Sequence, residues 1–450
     1  MRTTQRAEVS DSLYLLSLVV KHAMRPAATL LLIALLASPS IAIAQAPASA
    51  PEQQALLAQA DEVLAEMSKL TGLPIKGPLK KQVLSRPEIR KFLEETLDEE
   101  YTPTQIHKEE AELKAFGLVS KEFNLKEFLL AFYTEQAAGV YDPRRKTMII
   151  AEWLAANIQE MVLAHELTHA LQDQNFDLLK FMYAERDNDD ASAARQAVME
   201  GHATAAMIQR MMGGAPLAAL PSLQPMMEGV IQQQFAEFPA FTKAPYFFRL
   251  QALFPYIHGM GFVQKALQVE GGWENLDTIF RNPPTLTKEI FEPSIYFDGK
   301  PPAPVALPRP PALEGVRGLR VLSESSFGQL GYFALLGQFI SEAEAKKIAP
   351  SWLADRFIVY ESKADGRFAL VARSRWTGPE LALAFFRDYH TILTTKFPGL
   401  VADPRSTSDL FIATTTNGNL ILLRKGDECR WAEGVPAEKT EAMLKWLESL

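Results

Sequence analysis

The stretch from Asn157 to Gln174 constrains this chain more than any other, because the chemistry written into it requires a helix. It contains His165-Glu166-Leu167-Thr168-His169. Positions i and i+4 of a helix share one face about one turn apart, so two imidazoles there can meet one metal ion in tetrahedral geometry. Glu166 projects beside them, near enough to take a proton from water on the ion without being forced to coordinate it. Zinc lowers the pKa of such a water from near 16 to about 7, which brings it within reach of a carboxylate base at neutral pH. With seven histidines and 54 acidic residues in 450, this pattern arises by chance on the order of once in a hundred such chains. A pair of ordinary surface histidines would not sit among Met161, Val162, Leu163 and Leu167. Asn157 with Glu160 makes a capping pair that opens an amphipathic helix ending near Gln174.

A catalytic zinc takes three protein ligands and keeps a fourth position for water. Glu200, in Val198-Met199-Glu200-Gly201-His202-Ala203-Thr204, is the preferred third ligand. Ala203 and Thr204 share its helical face and are small, which allows this turn to approach the first helix closely. His202 is the rival; two residues along a helix is a rotation of about 200°, so the two cannot face the same ion. Asp173, four residues after His169, is placed to accept a hydrogen bond from the free ring nitrogen of that histidine. The oxyanion of an acyl-transfer intermediate needs a further donor. Tyr256 and His258, in Leu253-Phe254-Pro255-Tyr256-Ile257-His258-Gly259, are candidates for it. Thr147–Ala151 reads as an edge strand able to pair with an extended peptide.

Elsewhere the pattern is organised as follows. Residues 53–70, 86–99 and 121–137 have helical spacing, and 138–142 with 147–150 read as two strands joined by a turn at Asp142-Pro143-Arg144-Arg145. A second long helix covers about Asp190 to Met212, and helical pattern returns at 246–280. Residues 301–311 hold six prolines and read as a stiff linker. Beyond it, helices near 325–340, 378–396 and 436–449 accompany strands at 356–361 and 367–373 and a hairpin at 410–424 turning at Asn417-Gly418. At the other end, Met24-Arg25-Pro26 precedes the apolar run Ala27–Ala44, with Ala42-Ile43-Ala44 as a cleavage pattern. Residues 1–44 are therefore expected to be a signal peptide, with translation starting at Met24. The product would be exported, periplasmic or secreted, with no stable membrane anchor after cleavage. The net charge of −8 provides no basic footprint for nucleic acid and suits a polypeptide or peptide substrate. The single cysteine, Cys429, rules out an internal disulfide.

The run His165-Glu-Leu-Thr-His-Ala-Leu-Gln-Asp-Gln174, with the later Glu200-Gly201, resembles gluzincin-type metallopeptidases, most closely a group of predicted secreted bacterial proteases. Gly139-Val-Tyr-Asp142, Phe254-Pro-Tyr256 and Pro283-Pro-Thr-Leu-Thr287 also match segments recurring in that group. The resemblance implies a zincin fold, zinc held by His165, His169 and Glu200, and Glu166 as general base. The chain departs from the group at His202, where an acidic residue is usual, at Glu292-Pro293, where the group has His-Pro, and at Leu353-Ala354, which replaces a glycine-rich stretch. The expectation is an α+β protein: a zincin-like, mostly helical metallopeptidase domain over 45–300, a linker at 301–311 and a small α+β accessory domain over 312–450. A non-catalytic zinc- or peptide-binding envelope protein is the second reading.

Overall fold

The computed structural model describes residues 50–450 apart from 154–155, 186–187 and 237, so the expected signal peptide lies outside the described residues. Among those described, no helix is long and apolar enough to cross a membrane. The chain is a mixed α+β protein, opening with α1 (Ala50–Thr71), β1 (Lys80–Leu84), α2 (Arg86–Glu100), α3 (Pro103–Phe116) and α4 (Leu125–Gln136). The start of α3 is fixed by local chemistry. Gln105 N–H donates to the Thr102 hydroxyl, the Gln105 side-chain oxygen accepts from Thr102 N–H at 2.7 Å, and Pro103 presets the first turn.

The hairpin of β2 (Gly139–Asp142) and β3 (Thr147–Ala151) forms where the sequence places it. Asp142 Oδ1 accepts from Arg144 N–H at 2.8 Å and Arg145 N–H at 3.0 Å, which closes the turn. The expectation that Thr147–Ala151 is an edge strand is corrected here. β1 runs parallel to β3, pairing Lys80 with Thr147 through Leu84 with Ala151, so the sheet order is β1-β3-β2 and β3 is interior. The signal for β1 is weak because Lys80-Lys81-Gln82 carries no apolar alternation. The outer position beside the candidate site belongs to β2.

Next come α5 (Ala156–Phe176), α6 (Leu178–Tyr183) and α7 (Asp189–Met211). α5 is buried without a break from Met161 to Asp173, packed against α1, α7 and the small sheet. It is therefore a core helix, buried on every side and carrying its polar residues inside, where the sequence suggested an amphipathic one. Asn157 falls within its first turn, and the Asn157 side chain is not among the described ones. Asn188 caps α7 by accepting from Ala191 N–H, and Asp189 and Asp190 complement the helix dipole. A run of shorter helices follows: α8 (Gln224–Phe235), α9 (Pro239–Lys243) and α10 (Tyr246–Phe254), then a π-helical turn at Pro255–Gly259. After it come α11 (Met260–Glu270), α12 (Asp277–Arg281), α13 (Thr287–Phe291) and α14 (Pro293–Phe297).

The C-terminal part is built on one antiparallel sheet. Its elements are β4 (Leu319–Ser325), α15 (Gly328–Phe339), α16 (Glu342–Ile348), β5 (Trp352–Ser362), β6 (Phe368–Trp376) and α17 (Pro379–Lys396). They continue with β7 (Val401–Ala402), β8 (Leu410–Thr415), β9 (Gly418–Lys425), β10 (Glu428–Val435) and α18 (Thr440–Ser449). The order is β4-β5-β6-β10-β9-β8-β7, with the last strand inserted at the centre. A compact apolar cluster that includes Leu313, Ile358, Ile421, Met443 and Leu447 joins the sheet to α18 and the segment before β4. The proline-rich stretch is docked here: Arg373 donates to the Ala306 carbonyl at 3.0 Å, and Val305 is buried.

The larger apolar cluster crosses the boundary expected at 301–311 and takes in residues of α1, α5 and α7 together with Phe357, Trp376 and Trp431. At the seam, Phe116 at the end of α3 stacks on Phe327 with centroids 4.3 Å apart and meets Phe357 edge-on at 5.1 Å. Asp189 N–H donates to Ser325 Oγ, tying the start of α7 to β4.

Candidate metal centre

α5 presents His165 and His169 on one face, and α7 crosses that face with Glu200. Their ligand atoms form a small triangle. His165 Nε2 lies 3.0 Å from His169 Nε2 and 3.2 Å from Glu200 Oε2, and His169 Nε2 lies 3.3 Å from Glu200 Oε2. An ion held tetrahedrally at about 2.0–2.1 Å sets its ligand atoms about 3.3–3.4 Å apart. The donor set of two imidazoles and one carboxylate, and these spacings, fit zinc. Among the described residues this is the cluster of His, Cys, Asp and Glu able to hold a metal ion, and all three side chains are buried. Glu166 stands beside it, outside the triangle.

The electrostatics follow from burial around one shared positive charge. Burial pushes His165 down to about 4, against the attraction of Glu200. Burial also disfavours charge on His169, but the charge of Glu200 and its hydrogen bond raise it to about 9. Two imidazole nitrogens 3.0 Å apart cannot both be cationic, so the pair concentrates one positive charge next to a carboxylate. Burial lifts Glu166 to about 7, with the charge of Glu200 adding to it and His169 opposing.

Three contacts hold these side chains in position. His169 Nδ1–H donates to Gln172 Oε1 at 2.8 Å, which leaves Nε2 facing the triangle. Tyr141 N–H, on the outer side of β2, donates to Glu166 Oε2 at 2.7 Å. β2 comes this close because Gly139 has no side chain; a Cβ there would lie 2.3 Å from Val162 Cγ1. The third contact is a backbone crossing. A Cβ on Gly201 would lie 2.2 Å from the Gly259 carbonyl carbon, and one on Gly259 would lie 2.1 Å from the Ala197 oxygen. The π-helical turn therefore rests directly on α7 one residue past Glu200. Ala203 and Thr204, the small residues on which the sequence reading rested the approach of α7 to α5, are fully buried, and the close backbone contact of α7 with the π-helical turn is made by two glycines.

The sequence candidates separate as follows. Tyr256 is at the site: its ring lies 6.1 Å from that of His165, and its hydroxyl hydrogen-bonds Glu200. Burial first, then the charges of Glu200 and Glu166, push its phenol well above the ordinary value, so it stays a donor. His258 is not brought to the triangle; Gln224 Nε2 donates to its Nδ1 at 3.1 Å, and its ring packs on Phe254 and Phe291. His202 is also turned away, wedged against Trp273 and Phe280, with its Nδ1 accepting from Gln172 Nε2 at 3.1 Å. Asp173 does not support His169. It accepts from Tyr141 O–H and Lys146 Nζ, each at 2.6 Å, and so ties the hairpin to α5. The supporting role falls to Gln172, three residues after His169, a spacing that also shares a helical face.

Gln172 donates in turn to the Met199 carbonyl at 2.9 Å, linking α5 to α7 immediately before Glu200. Gln172→Leu removes the acceptor for His169 and is expected to weaken zinc binding by about ten- to a hundredfold. Competition with a chromogenic chelator measures this directly, and unchanged affinity would show that the hydrogen bond does not position the ligand.

Residues 319–444, from the first residue of β4 into α18, match a family described as a domain of unknown function (DUF8575). No curated protein and no solved structure matches the chain.

Proposed function

We propose that the chain is an exported, zincin-like, zinc-dependent peptidase that hydrolyses peptide bonds in polypeptide or peptide substrates. The observation that carries this reading is a buried two-histidine, one-glutamate triangle of metal-ligand size with a second glutamate held beside it and outside it. When bound, zinc would supply Lewis acidity and lower the pKa of a nearby water. His165, His169 and Glu200 would hold the ion. Glu166, held beside the triangle by Tyr141 N–H, would accept the proton of the attacking water and deliver it to the leaving amine. Tyr256, whose hydroxyl hydrogen-bonds Glu200, would stabilise the developing oxyanion on turning that O–H from the carboxylate.

The second reading, a zinc- or peptide-binding protein without turnover, is favoured by one observation: His165, Glu166, His169 and Glu200 are each at most 2 % exposed. Metal analysis with a peptide-library digest separates the two. The expected result is one zinc per chain and cleavage that a chelator abolishes and added zinc restores. A zinc-loaded chain that cleaves nothing in the library would remove the catalytic reading and leave the binding one.

A further inference from the structure

A cavity of about 150 Å³ lies between the N-terminal helices and the C-terminal sheet. One part of its wall is Tyr256, whose hydroxyl meets Glu200; another is Asp190 at the start of α7. Phe116, Phe247, Phe327 and Phe357 supply much of the rest. A cavity of this size with such walls admits a group as large as benzene. Its polar lining is one-sided: Glu109, Glu112, Asp189 and Asp190 contribute carboxylates, and none of its lining residues is a lysine, arginine or histidine.

Asp190 is the group that points to an occupant. It is 1 % exposed, and its Oδ1 accepts from the backbone N–H and hydroxyl of Thr287. Its Oδ2 is buried with no hydrogen-bond partner. An unmatched buried carboxylate oxygen is costly. Burial first pushes this acid up to about 7, against the two hydrogen bonds from Thr287, and the charges of Asp355 and Glu289 contribute to the rise, so the nearest charges are negative. Asp190 and Glu200 lie ten residues apart on α7, roughly 15 Å at 1.5 Å per residue. An extended peptide covers that distance in about four or five residues.

We propose that this cavity receives a cationic group of the substrate, a lysine or arginine side chain or a free amino terminus, which pairs with Asp190 and selects peptides carrying that charge a few residues from the cleaved bond. The proposal names the substrate class of the peptidase reading and rests on it for its catalytic consequence. The aromatic walls take the apolar stem of such a group, and their faces attract its charge.

The binding arm needs no turnover. Thermal shifts of the full chain are compared for n-hexylamine and for 1-hexanol, a neutral probe of similar length. The amine is expected to bind at least about tenfold more tightly, and this preference is lost in Asp190→Asn, which keeps the acceptor for Thr287. Should that variant not fold, Ala193→Leu, which fills the cavity from α7, is expected to abolish amine binding in its place. Equal binding of amine and alcohol by the parent, or an amine preference retained in the variant, overturns the proposal. In the activity arm, kcat/KM is compared for peptides with lysine or norleucine, each with a free or acetylated amino terminus. A preference lost with norleucine assigns the side chain, one lost on acetylation assigns the terminus, and no preference at all overturns the proposal. Amine binding without hydrolysis would remove the peptidase reading and leave the cation site in place; hydrolysis without charge preference would do the reverse.

Discussion

Glu166→Gln is expected to retain zinc and to lose hydrolysis by a factor of about 10² to 10⁴. The carboxamide is isosteric, and its oxygen can still accept from Tyr141 N–H, the 2.7 Å contact that joins β2 to α5. No ligand is lost, because Glu166 stands outside the triangle of His165, His169 and Glu200. What disappears is basicity. The contrasting variant is Glu200→Gln, which weakens a ligand and leaves the base intact, and in which zinc content falls together with activity. Zinc stoichiometry and kcat/KM on a peptide that the parent cleaves separate the two variants. If Glu166→Gln cleaves as fast as the parent, the base lies elsewhere and the proposed division of roles fails.

What the sequence made legible is the part of the site set by helical spacing. His165 and His169 fall on one face because four residues make one turn, and Glu200 prevails over His202 because two residues swing a side chain to the other side. The structure places all three as that argument requires. Tyr256 was visible only as one of two candidates in a short segment. Separating it from His258 needed the π-helical turn, and a wider turn of that kind carries no periodic signal of its own. Gln172 is not legible by the same logic, because a ligating histidine is commonly supported by a carboxylate, whereas the chain uses an amide that can accept from His169 and donate to two further groups.

Most elements of the fold followed from pattern, but their neighbours did not. β1 is too polar to be seen, and its pairing moves Thr147–Ala151 from the edge to the centre of the small sheet. β10 was not anticipated, although it fills the middle of the large sheet between β6 and β9. The six prolines at 301–311 suggested a spacer, and residues 301–310 form neither helix nor strand. Its docking on the large sheet, and the core that runs past it, depend on Phe116, Phe327 and Phe357 meeting from distant parts of the chain. Such long-range contacts leave no mark on local spacing.

Gly201→Ala and Gly259→Ala should each destabilise the chain by about 3 kcal/mol or more, at or beyond the upper end of ordinary overpacking. The atoms that an added methyl would strike are backbone: the Gly259 carbonyl at 2.2–2.3 Å in one case and the Ala197 oxygen at 2.1 Å in the other. Neither can rotate aside, so α7 and the π-helical turn must separate, and Glu200 and Tyr256 move apart with them. Against a total stability of about 5–15 kcal/mol that loss is large, and zinc affinity is expected to fall in parallel because Glu200 is the next residue. The comparison is Gly229→Ala, on an exposed face of α8 with nothing within 4 Å. There alanine should leave stability unchanged or raise it by about 0.5–1 kcal/mol. Urea denaturation of the three variants with zinc measured on the same samples tests the crossing. A Gly201→Ala chain that unfolds at the parent's midpoint with zinc still bound would mean that this contact is not what holds Glu200 at the site.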